Sequence, residues 1–475
     1  MPLKSSNGFN PCVTIGETTN AARLFGRWQL IFWRSLPEDG SKFEDEELKM
    51  NDKQYSQLSI INSLSIPPGY KQTEVGVIPE DWEVFSLNEI CTKITDGTHD
   101  TPIPVKSGMP FLTAIHVKDN RIDYEDCLYV TRKDHEIIFK RCNPENGDVL
   151  MVNIGAGVAT TALVKVDYEF SLKNVALLKP KNNSLIGAFL NYSLAKQKAK
   201  NTQALLNGGA QPFLSLTQIG LINIPVPRLG EQEAIAEALS DADAFIESLE
   251  QLIAKKRHVK HGAMQELLTG KKRLPGFSGE WHQMQLEQLA EIRSGGTPST
   301  TQPQFWDGDI FWCTPTDITA LKNRKYLSET SRKITVLGLK CSSAEIIPTN
   351  SVIMTSRATI GECAISLIPV STNQGFKNFI PFENVNAEFL YYLLSTKKLD
   401  FISLCGGSTF LEIGKTQLAM FAVLLPPTKS EQTAIASILS DMDAEIDALE
   451  AKLTKARHIK QGMMHNLLTG KIRLV

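Results

Sequence analysis

Apolar residues follow the spacing of a paired helix in two stretches of the chain. In the later stretch they alternate by four and three positions, and they are Ile435, Leu439, Met442, Ile446, Leu449, Leu453 and Ala456. The earlier stretch repeats the spacing with Ile235, Leu239, Ala242, Ile246, Leu249 and Ile253, and then breaks at Lys256. Such alternation is the heptad pattern of a coiled coil. It predicts two helices of about 38 residues, each about 57 Å long at a rise of ~1.5 Å per residue.

The two helical stretches are copies of one another. Between the segments that start at Glu231 and Glu431, about 26 of 44 aligned positions are identical. Each copy begins with Glu-Gln and ends with Leu-Leu-Thr-Gly-Lys-x-Arg-Leu. Two copies of one unit can be related by a pseudo-two-fold axis, as in a homodimer. We therefore expect the helices to pack antiparallel as one pair. The alternative is two separate helices, each folded onto its own domain.

Glycines mark positions within and after these helices. Gly270 and Gly470 follow Leu-Leu-Thr, where a left-handed residue commonly ends a helix. Gly262 and Gly462 lie inside the pattern, where each costs roughly 1 kcal/mol relative to alanine. We expect close helix contact or a helix break at these two positions.

The segments before each long helix contain short β-branched runs, which predict strands at residues 147–155, 162–166, 175–180, 351–356 and 363–370. Each segment then has a short helical stretch and a Gly-Gly turn. This pattern predicts an α+β fold, with two α+β domains separated by the pair of long antiparallel helices. The predicted organisation is a leader (1–65), a first domain (66–228), a first long helix (229–274), a second domain (275–428) and a second long helix (429–475).

Composition narrows the class of protein. A chain of 475 residues is expected to form two or three domains. The eight cysteines are scattered, with neither disulfide nor zinc-site spacing, so we expect a protein of the reducing cytoplasm without a metal site. Apolar runs are too short for a membrane span. The leader lacks both the repeat and a signal-peptide cleavage site. We expect it to be poorly ordered, a non-native extension before Met50; the alternative is a functional arm.

Polar loops of the two domains carry the residue types that contact DNA. Arg, Lys, Asn and Ser or Thr side chains bind base edges and phosphates. The candidates in the two domains are Thr95, Thr98, His99, Asn153, Arg293, Thr297, Lys322, Arg324, Lys325 and Arg357. For any one of them taken alone, an ordinary surface residue is the favoured interpretation. The net charge of −2 means that any DNA-binding surface must be a local cluster of cations.

A basic run recurs on both helices, and its candidate phosphate contacts are Lys255, Arg257, Lys455 and Arg457. The alternative for this run is a solvated helix face whose cations complement the helix dipole. The sequence contains no P-loop, HExxH or GxSxG motif and no Asn/Asp-Pro-Pro-aromatic tetrad of an amino-methyltransferase. We therefore expect a recognition protein that binds no cofactor and is not itself an enzyme.

The paired motifs resemble those of one family, the specificity subunits of type I restriction–modification enzymes. The resemblance is carried by the two Pro-x(3–5)-Glu-Gln-x-x-Ile-Ala entries, which end at Ala236 and Ala436, and by the Leu-Leu-Thr-Gly-Lys-x-Arg-Leu ends at Leu274 and Leu474. Asp96-Gly97-Thr98-His99 and Ser371-Thr372-Asn373-Gln374-Gly375 also look like segments of that family's recognition domains. The match covers about residues 66–475.

The resemblance implies two target-recognition domains, each of which binds half of a split, asymmetric sequence in double-stranded DNA. It also implies two modification subunits, which use S-adenosylmethionine to methylate adenine, and restriction subunits that use ATP and Mg. Three alternatives remain: an enzyme active on its own, a tandem scaffold that binds only proteins, and a specificity chain of a different system. Fold analogy alone does not choose among them.

Overall fold

The β-branched runs of both domains form strands in the computed structural model, which describes residues 66–155, 157–203, 212–322, 324–405 and 411–474. The leader and both Gly-Gly turns lie outside the described residues. Contacts divide the chain into two units. Unit 1 is Met1–Leu249 with Lys452–Val475, and unit 2 is Glu250–Ala451. Each long helix therefore begins in one unit and ends in the other.

Unit 1 contains mostly short strands. They are β1 (Tyr70–Thr73), β2 (Gly76–Pro79), β3 (Glu83–Ser86), β4 (Cys91–Asp96), β5 (Met109–Thr113), β6 (Val117–Lys118), β7 (Arg121–Ile122), β8 (Leu128–Val130), β9 (Val149–Val152), β10 (Thr161–Leu163), β11 (Ser171–Lys173), β12 (Val175–Pro180) and β13 (Asn223–Val226). Its helices are α1 (Leu87–Ile90), α2 (Arg132–Arg141), α3 (Gly187–Gln203), α4 (Leu216–Gly220) and the first part of α5 (Leu229–Leu267).

The main sheet of unit 1 has the order β10-β9-β12-β4, with every neighbouring pair antiparallel. A smaller sheet has the order β11-β5-β8, and its β11/β5 pair is parallel. Strands β9 and β12 are almost wholly buried, which explains their continuous apolar runs. The predicted α+β fold is confirmed for this unit.

Unit 2 repeats this plan with different residues. Its strands are β14 (His282–Gln285), β15 (Ala290–Ser294), β16 (Trp306–Cys313), β17 (Tyr326–Leu327), β18 (Arg332–Ile334), β19 (Val352–Thr355), β20 (Cys363–Ser366), β21 (Ser371–Thr372), β22 (Phe376–Pro381) and β23 (Ala422–Leu425). Its helices are α6 (Pro315–Ala320), α7 (Val336–Lys340), α8 (Ala387–Thr396), α9 (Lys398–Ser403), α10 (Lys415–Ala419), the last part of α5 and the first part of α11 (Lys429–Leu467).

The main and smaller sheets of unit 2 correspond to those of unit 1, apart from one additional strand. The main sheet has the order β15-β22-β19-β20-β17, and the smaller sheet has the order β18-β16-β21. The β21/β16 pair is parallel, like β11/β5. Strand β17, which pairs parallel with β20, has no counterpart in the main sheet of unit 1. The two domains thus share one topology although their sequences share only scattered anchors.

Each unit pairs the start of one long helix with the end of the other. In unit 1, Ile235 and Leu239 of α5 share an apolar cluster with Ile459 and Met463 of α11. In unit 2, Ile435 and Leu439 of α11 share a cluster with Leu267 and Leu268 at the end of α5. Late residues of one helix meet early residues of the other, so the two segments run antiparallel within each unit. The alternative in which each helix folds only onto its own domain is therefore wrong.

The heptad positions are buried to different degrees. Leu249, Ile253, Leu453 and Ala456 are buried, and Ile446 is 7% exposed. Ile246 and Leu449 are half-buried. The predicted seam thus contains the expected residues, and its burial is uneven along the helices.

The predicted helix ends are confirmed at Gly270 and Gly470, whereas no helix break occurs at Gly262 or Gly462. Gly270 and Gly470 have φ of +71° and +68°, the left-handed conformation that follows a helix. At Gly262 and Gly462 the helices continue without a break. A β-carbon at Gly262 would meet no atom within 4 Å, so no close helix contact explains that glycine. Within the described residues, no helix is long and apolar enough to cross a membrane.

Candidate nucleic-acid interface

The two repeated motifs of the long helices meet as a buried ion pair in unit 1. Arg473, in the turn that follows α11, donates from Nε and Nη2 to the carboxylate of Glu231 at 2.6 and 2.8 Å. The Trp82 indole donates to the same carboxylate at 3.1 Å. Arg473 also donates to Asp81, and this interaction lowers the pKa of the Asp81 carboxyl. The carboxylate of Glu231 is buried, so these donors offset its desolvation.

Unit 2 builds the same ion pair with one difference. Arg273 donates from Nε and Nη2 to Glu431 at 2.6 and 2.8 Å, and Trp281 donates to Glu431 at 3.4 Å. In place of a second carboxylate, Arg273 donates to the backbone carbonyls of Ser278 and Gly279. The Glu-Gln and Thr-Gly-Lys-x-Arg motifs therefore supply the two partners of a structural ion pair in each unit. We call these pairs, Glu231 with Arg473 and Glu431 with Arg273, the Glu–Arg locks.

The glutamine of each Glu-Gln pair ties the helix start to its own domain. In unit 1, Gln232 accepts from the backbone N–H of Ile186 at 3.0 Å and donates to the carbonyls of Ser184 and Pro227. In unit 2, Gln432 accepts from the backbone N–H of Asn386 at 2.9 Å. These bonds explain why the glutamine is repeated in both copies.

Each unit also has a tyrosine–aspartate–lysine network between its domain and the helix pair. Tyr192 donates to Asp243 at 2.7 Å, and Lys460 forms an ion pair with Asp243. In unit 2, Tyr392 donates to Asp443 at 2.5 Å, and Lys260 forms an ion pair with Asp443. Burial is the main cause that raises the pKa of Tyr192 and Tyr392, so both phenols stay protonated donors.

The basic run of each long helix is partly engaged in such pairs. In unit 2, Lys256 contacts Glu445 at 2.6 Å and Arg257 contacts Glu450 at 2.5 Å. Lys255 is exposed. In unit 1, Lys455 and Arg457 are exposed and also interact with other residues of the chain. An interhelical ion-pair role, which periodicity alone did not predict, therefore accounts for Arg257; phosphate contact by the run stays a prediction.

The candidates of the first domain fall into exposed and buried groups. His99 is exposed, and its ring contacts Asn174 at 2.9 Å and Asp96 at 3.3 Å. Thr95 and Thr98 are half-buried beside it, and Thr98 accepts from the backbone N–H of Asp100. These three residues lie together at the end of β4. Asn153 is only 3% exposed, away from solvent, and is better explained by the fold than by DNA contact.

The candidates of the second domain are largely bound to carboxylates. Arg293 donates to both oxygens of Glu291 at 2.7 and 2.8 Å. Arg357 contacts Glu412 at 2.7 Å. Thr297 donates to Gln374. Bound carboxylates reduce the attraction of these arginines for phosphate.

The predicted basic loop of unit 2 contains both exposed cations and a cation that is bound to other residues. Lys322 and Arg324 are exposed. Lys325 is not: its ammonium donates to Ser440 at 2.6 Å and to Tyr392 at 3.3 Å, and it lies 3.6 Å from Glu388. Its side chain is 10% exposed, so Lys325 is better explained as a structural residue.

Sequence patterns missed a cationic platform in unit 2. The guanidinium of Arg332 on β18 lies 3.8 Å from the ring centre of Trp306 and 5.5 Å from that of Trp312. The ammonium of the next residue, Lys333, lies 4.6 Å from the ring centre of Phe311. Neither cation has a carboxylate partner among the described residues. The Phe-Trp and Arg-Lys pairs on neighbouring strands were the available signal, but only the β16/β18 register brings them together.

In the described part of the chain, no group of three or more His, Cys, Asp or Glu side chains is placed to hold a metal ion. Burial raises the pKa of the Cys91 and Cys142 thiols to about 12, which disfavours a nucleophilic thiolate at either position.

Comparison with known proteins identifies relatives that cover most of the chain. The chain is 25% identical over 422 residues to the type I restriction enzyme MjaVIII specificity subunit of Methanocaldococcus jannaschii, which covers 84% of this chain and 94% of that protein. It is 40% identical over 171 residues to the MjaIX specificity subunit of the same organism, covering 35% of this chain and 39% of that protein.

A solved structure shows the same fold. The specificity subunit of the type I restriction–modification system of M. genitalium matches with a TM-score of 0.53 at 15% identity, covering 85% of this chain and 99% of that chain. The family model described as "Type I restriction modification DNA specificity domain" matches residues 79–255 and again residues 278–457. The chain therefore belongs to the type I restriction–modification DNA specificity family and carries two copies of its domain.

Proposed function

We propose that this chain is the non-catalytic specificity subunit of a type I restriction–modification complex in the cytoplasm and that it recognises a split, asymmetric sequence in double-stranded DNA. The observation that carries the proposal is one topology built twice with different exposed residues. The shared parts are the Glu–Arg lock and the Tyr–Asp–Lys network. The parts that differ include the β16/β18 platform. A common framework with different surfaces is suited to two unlike half-sites.

Within the second domain, we propose Arg332 and Lys333 as the principal cationic DNA contacts. A guanidinium stacked on an indole is held in place by its face, while its N–H donors at the edge stay available. Arg293 and Arg357 have carboxylate partners, so binding a phosphate would require them to exchange those partners. Arg332 requires no such exchange with any described residue. Lys322 and Arg324 remain exposed secondary candidates.

Within the first domain, the proposed surface is the end of β4 with Thr95, Thr98 and His99. His99 is held by Asn174 and Asp96, and Arg141 also donates to Asp96. Because its ring is exposed and oriented by two partners, His99 can donate or accept at a base edge. This surface carries less positive charge than the β16/β18 platform, and the two half-sites would then depend differently on salt.

The proposed partners are two modification subunits, which would bring S-adenosylmethionine and methylate adenine, and restriction subunits that would use ATP and Mg. The relatives are named as subunits, which supports an assembly. This chain itself would hold no cofactor.

The decisive experiment is methylome sequencing of cells that express this chain with its modification subunit. The expected result is one bipartite motif with two different halves, methylated on adenine only when both proteins are present. Methylation by this chain alone would contradict the non-catalytic assignment. An unmethylated genome, combined with salt-insensitive failure of the complex to bind any DNA, would favour a protein-binding scaffold.

A further inference from the structure

Each domain presents one side-chain amide at the same place in its topology. Strands β11 and β21 are the strands that pair parallel within the two smaller sheets, and they begin at Ser171 and Ser371. Three residues after these serines lie Asn174 in unit 1 and Gln374 in unit 2. Asn174 is half-buried and Gln374 is exposed. The two amides therefore occupy equivalent positions on two frameworks whose other surface residues differ.

The oxygen of each amide is held by the loop that follows β4 or β15. In unit 1, Nδ1 of the His99 ring lies 2.9 Å from the amide oxygen of Asn174. In unit 2, the Thr297 hydroxyl donates to the amide oxygen of Gln374. Neither amide nitrogen donates to any residue that the structure describes. An amide oxygen has two lone pairs, so each amide keeps one acceptor site as well as its N–H donors.

Glycines allow these loops to approach the strands closely. A β-carbon at Gly97 would lie 2.0 Å from the carbonyl oxygen of Leu172, and one at Gly295 would lie 2.0 Å from that of Asn373. The next residue of each loop donates its backbone N–H to a strand carbonyl at 2.9 Å. Close backbone packing in both units thus fixes the side chain that holds the amide.

Backbone conformation does not account for the shared amide. Asn174 has a φ of +52°, a region that asparagine adopts more readily than most side chains. Gln374 is not among the described residues with positive φ. What the two positions have in common is therefore the amide group and the hydrogen bond to its oxygen.

We propose that Asn174 and Gln374 each recognise one adenine in the major groove, within the half-site that their domain binds. The amide nitrogen would donate to N7 of adenine, and the remaining lone pair of the amide oxygen would accept from the N6 amino group. Asparagine and glutamine make this bidentate contact with adenine because both of its edge groups match the amide. In this arrangement His99 and Thr297 are positioning residues. The inference rests on the proposed function and adds which residues determine one base of each half-site.

The test uses the full chain in complex with its modification subunit. Methylome sequencing gives the motif, and competition between duplexes that differ at one base pair gives the preference. Gln374→Glu keeps the shape of the side chain but removes its N–H donors, and Asn174→Asp is the same change in unit 1. The matched control is Gln283→Glu, at an exposed glutamine of β14. Gln374 is exposed, so its variant is expected to fold, and thermal unfolding verifies this.

Gln374→Glu should lower the preference for an A·T pair at one position of one half-site by about tenfold or more. The motif should become degenerate at that position, which differs from the methylated adenine. Asn174→Asp should have the same effect at one position of the other half-site. Gln283→Glu should leave the motif and the preference unchanged.

Variants of the positioning residue separate recognition from a structural role. Thr297→Val, which removes the hydroxyl, should relax the same base position as Gln374→Glu, and Thr297→Ser should retain the preference. An unchanged motif for Gln374→Glu, or a loss of affinity that is equal for all sequences, would overturn the inference; a bipartite motif from the unchanged complex would still support the proposed function. Absence of any bipartite motif from the unchanged complex would overturn both.

Discussion

Unit 1 and unit 2 share the strand order of their main and smaller sheets, apart from β17, and the same helix pairing, but they differ at the contact between domain and helices. In unit 1, the Asn120 amide donates to Asp243 of the tyrosine network. In unit 2, the Lys325 ammonium donates to Tyr392 and Ser440 of the equivalent network. Asn120 precedes β7, whereas Lys325 precedes the additional strand β17. An invariant polar network can therefore accept side chains from unrelated loops, which lets the loops change without loss of the framework.

The locks at the helix ends differ in a similar way. Arg473 satisfies a second carboxylate, Asp81, whereas Arg273 satisfies two backbone carbonyls. The shared part, an arginine and an indole on one buried glutamate, is what both copies require. The two copies differ only in the additional acceptors of the arginine, which lie at a partly exposed position. Ion pairs at such positions contribute little, so a carboxylate and two backbone carbonyls can serve as acceptors with similar energy.

Exchange of one domain should have the largest effect on the recognised sequence. Replacing residues 79–227 with the corresponding domain of another such subunit should change one half of the methylated motif completely and leave the other half unchanged. The reason is that each unit carries its own surface on a common framework. Methylome sequencing of the exchanged complex measures the outcome.

Exchange of residues 275–427 is the matched experiment and should change the other half of the motif. If either exchange altered both halves or neither, the assignment of one domain to one half-site would fail.

A charge in the helix seam should cause the largest loss of stability. Ile446→Asp places a carboxylate at a buried position close to Asp443 and Asp447. Burial and the Asp443 charge already raise the pKa of Asp447, so a further carboxylate there is unfavourable. We expect a loss of about 4–5 kcal/mol in the free energy of unfolding, or loss of soluble protein.

Ile246→Asp is the matched variant at the equivalent position of the other helix. Ile246 is half-buried, so the same change there should cost less than half as much. Denaturant unfolding of both variants measures the two values; equal losses would mean that the unequal burial of the two copies has no energetic consequence.

Removal of the lock arginine should have the next largest effect. Arg473→Ala leaves Glu231 buried beside only the Trp82 indole, and we expect a loss of about 3–4 kcal/mol in stability. Arg273→Ala should cost less, because Arg273 has no second carboxylate partner. Thermal unfolding of both variants gives the ranking, with Lys271→Ala as the control for loss of a nearby exposed cation. A larger loss for Arg273→Ala would show that the Asp81 contact contributes nothing.

The smallest predicted effect concerns DNA binding by the second domain. Arg332→Ala should weaken binding by about 1–2 kcal/mol, because its guanidinium is exposed and lies over the buried indole of Trp306. Arg293→Ala is the matched control and should weaken binding less, since Glu291 already occupies that guanidinium. Affinity of the assembled complex for its own target at several salt concentrations measures both; a larger effect for Arg293→Ala would contradict the platform.

The amino-acid pattern by itself was sufficient to predict the long helices, the main strands and their repetition in two copies. Heptad spacing predicted both long helices, and the apolar runs predicted β9, β10, β12, β19 and β20 within a few residues. Helix and strand periodicities are local properties of the backbone, so they can be recognised without tertiary contacts. The duplicated Glu-Gln and Thr-Gly-Lys-x-Arg motifs also identified the family, because two copies in the same order seldom arise by chance.

Only the tertiary structure revealed that those motifs form an ion pair and which cations are exposed for contact with a ligand. Glu231 and Arg473 are separated by more than two hundred residues, and only the antiparallel helix pair within unit 1 brings them together. Lys325 and Arg332 lie seven residues apart in similar sequence surroundings, yet one is enclosed by Ser440 and Tyr392 and the other is exposed on Trp306. The physical reason is that a charge is assigned its role by the groups that surround it in space, and long-range strand and helix pairing determines those groups.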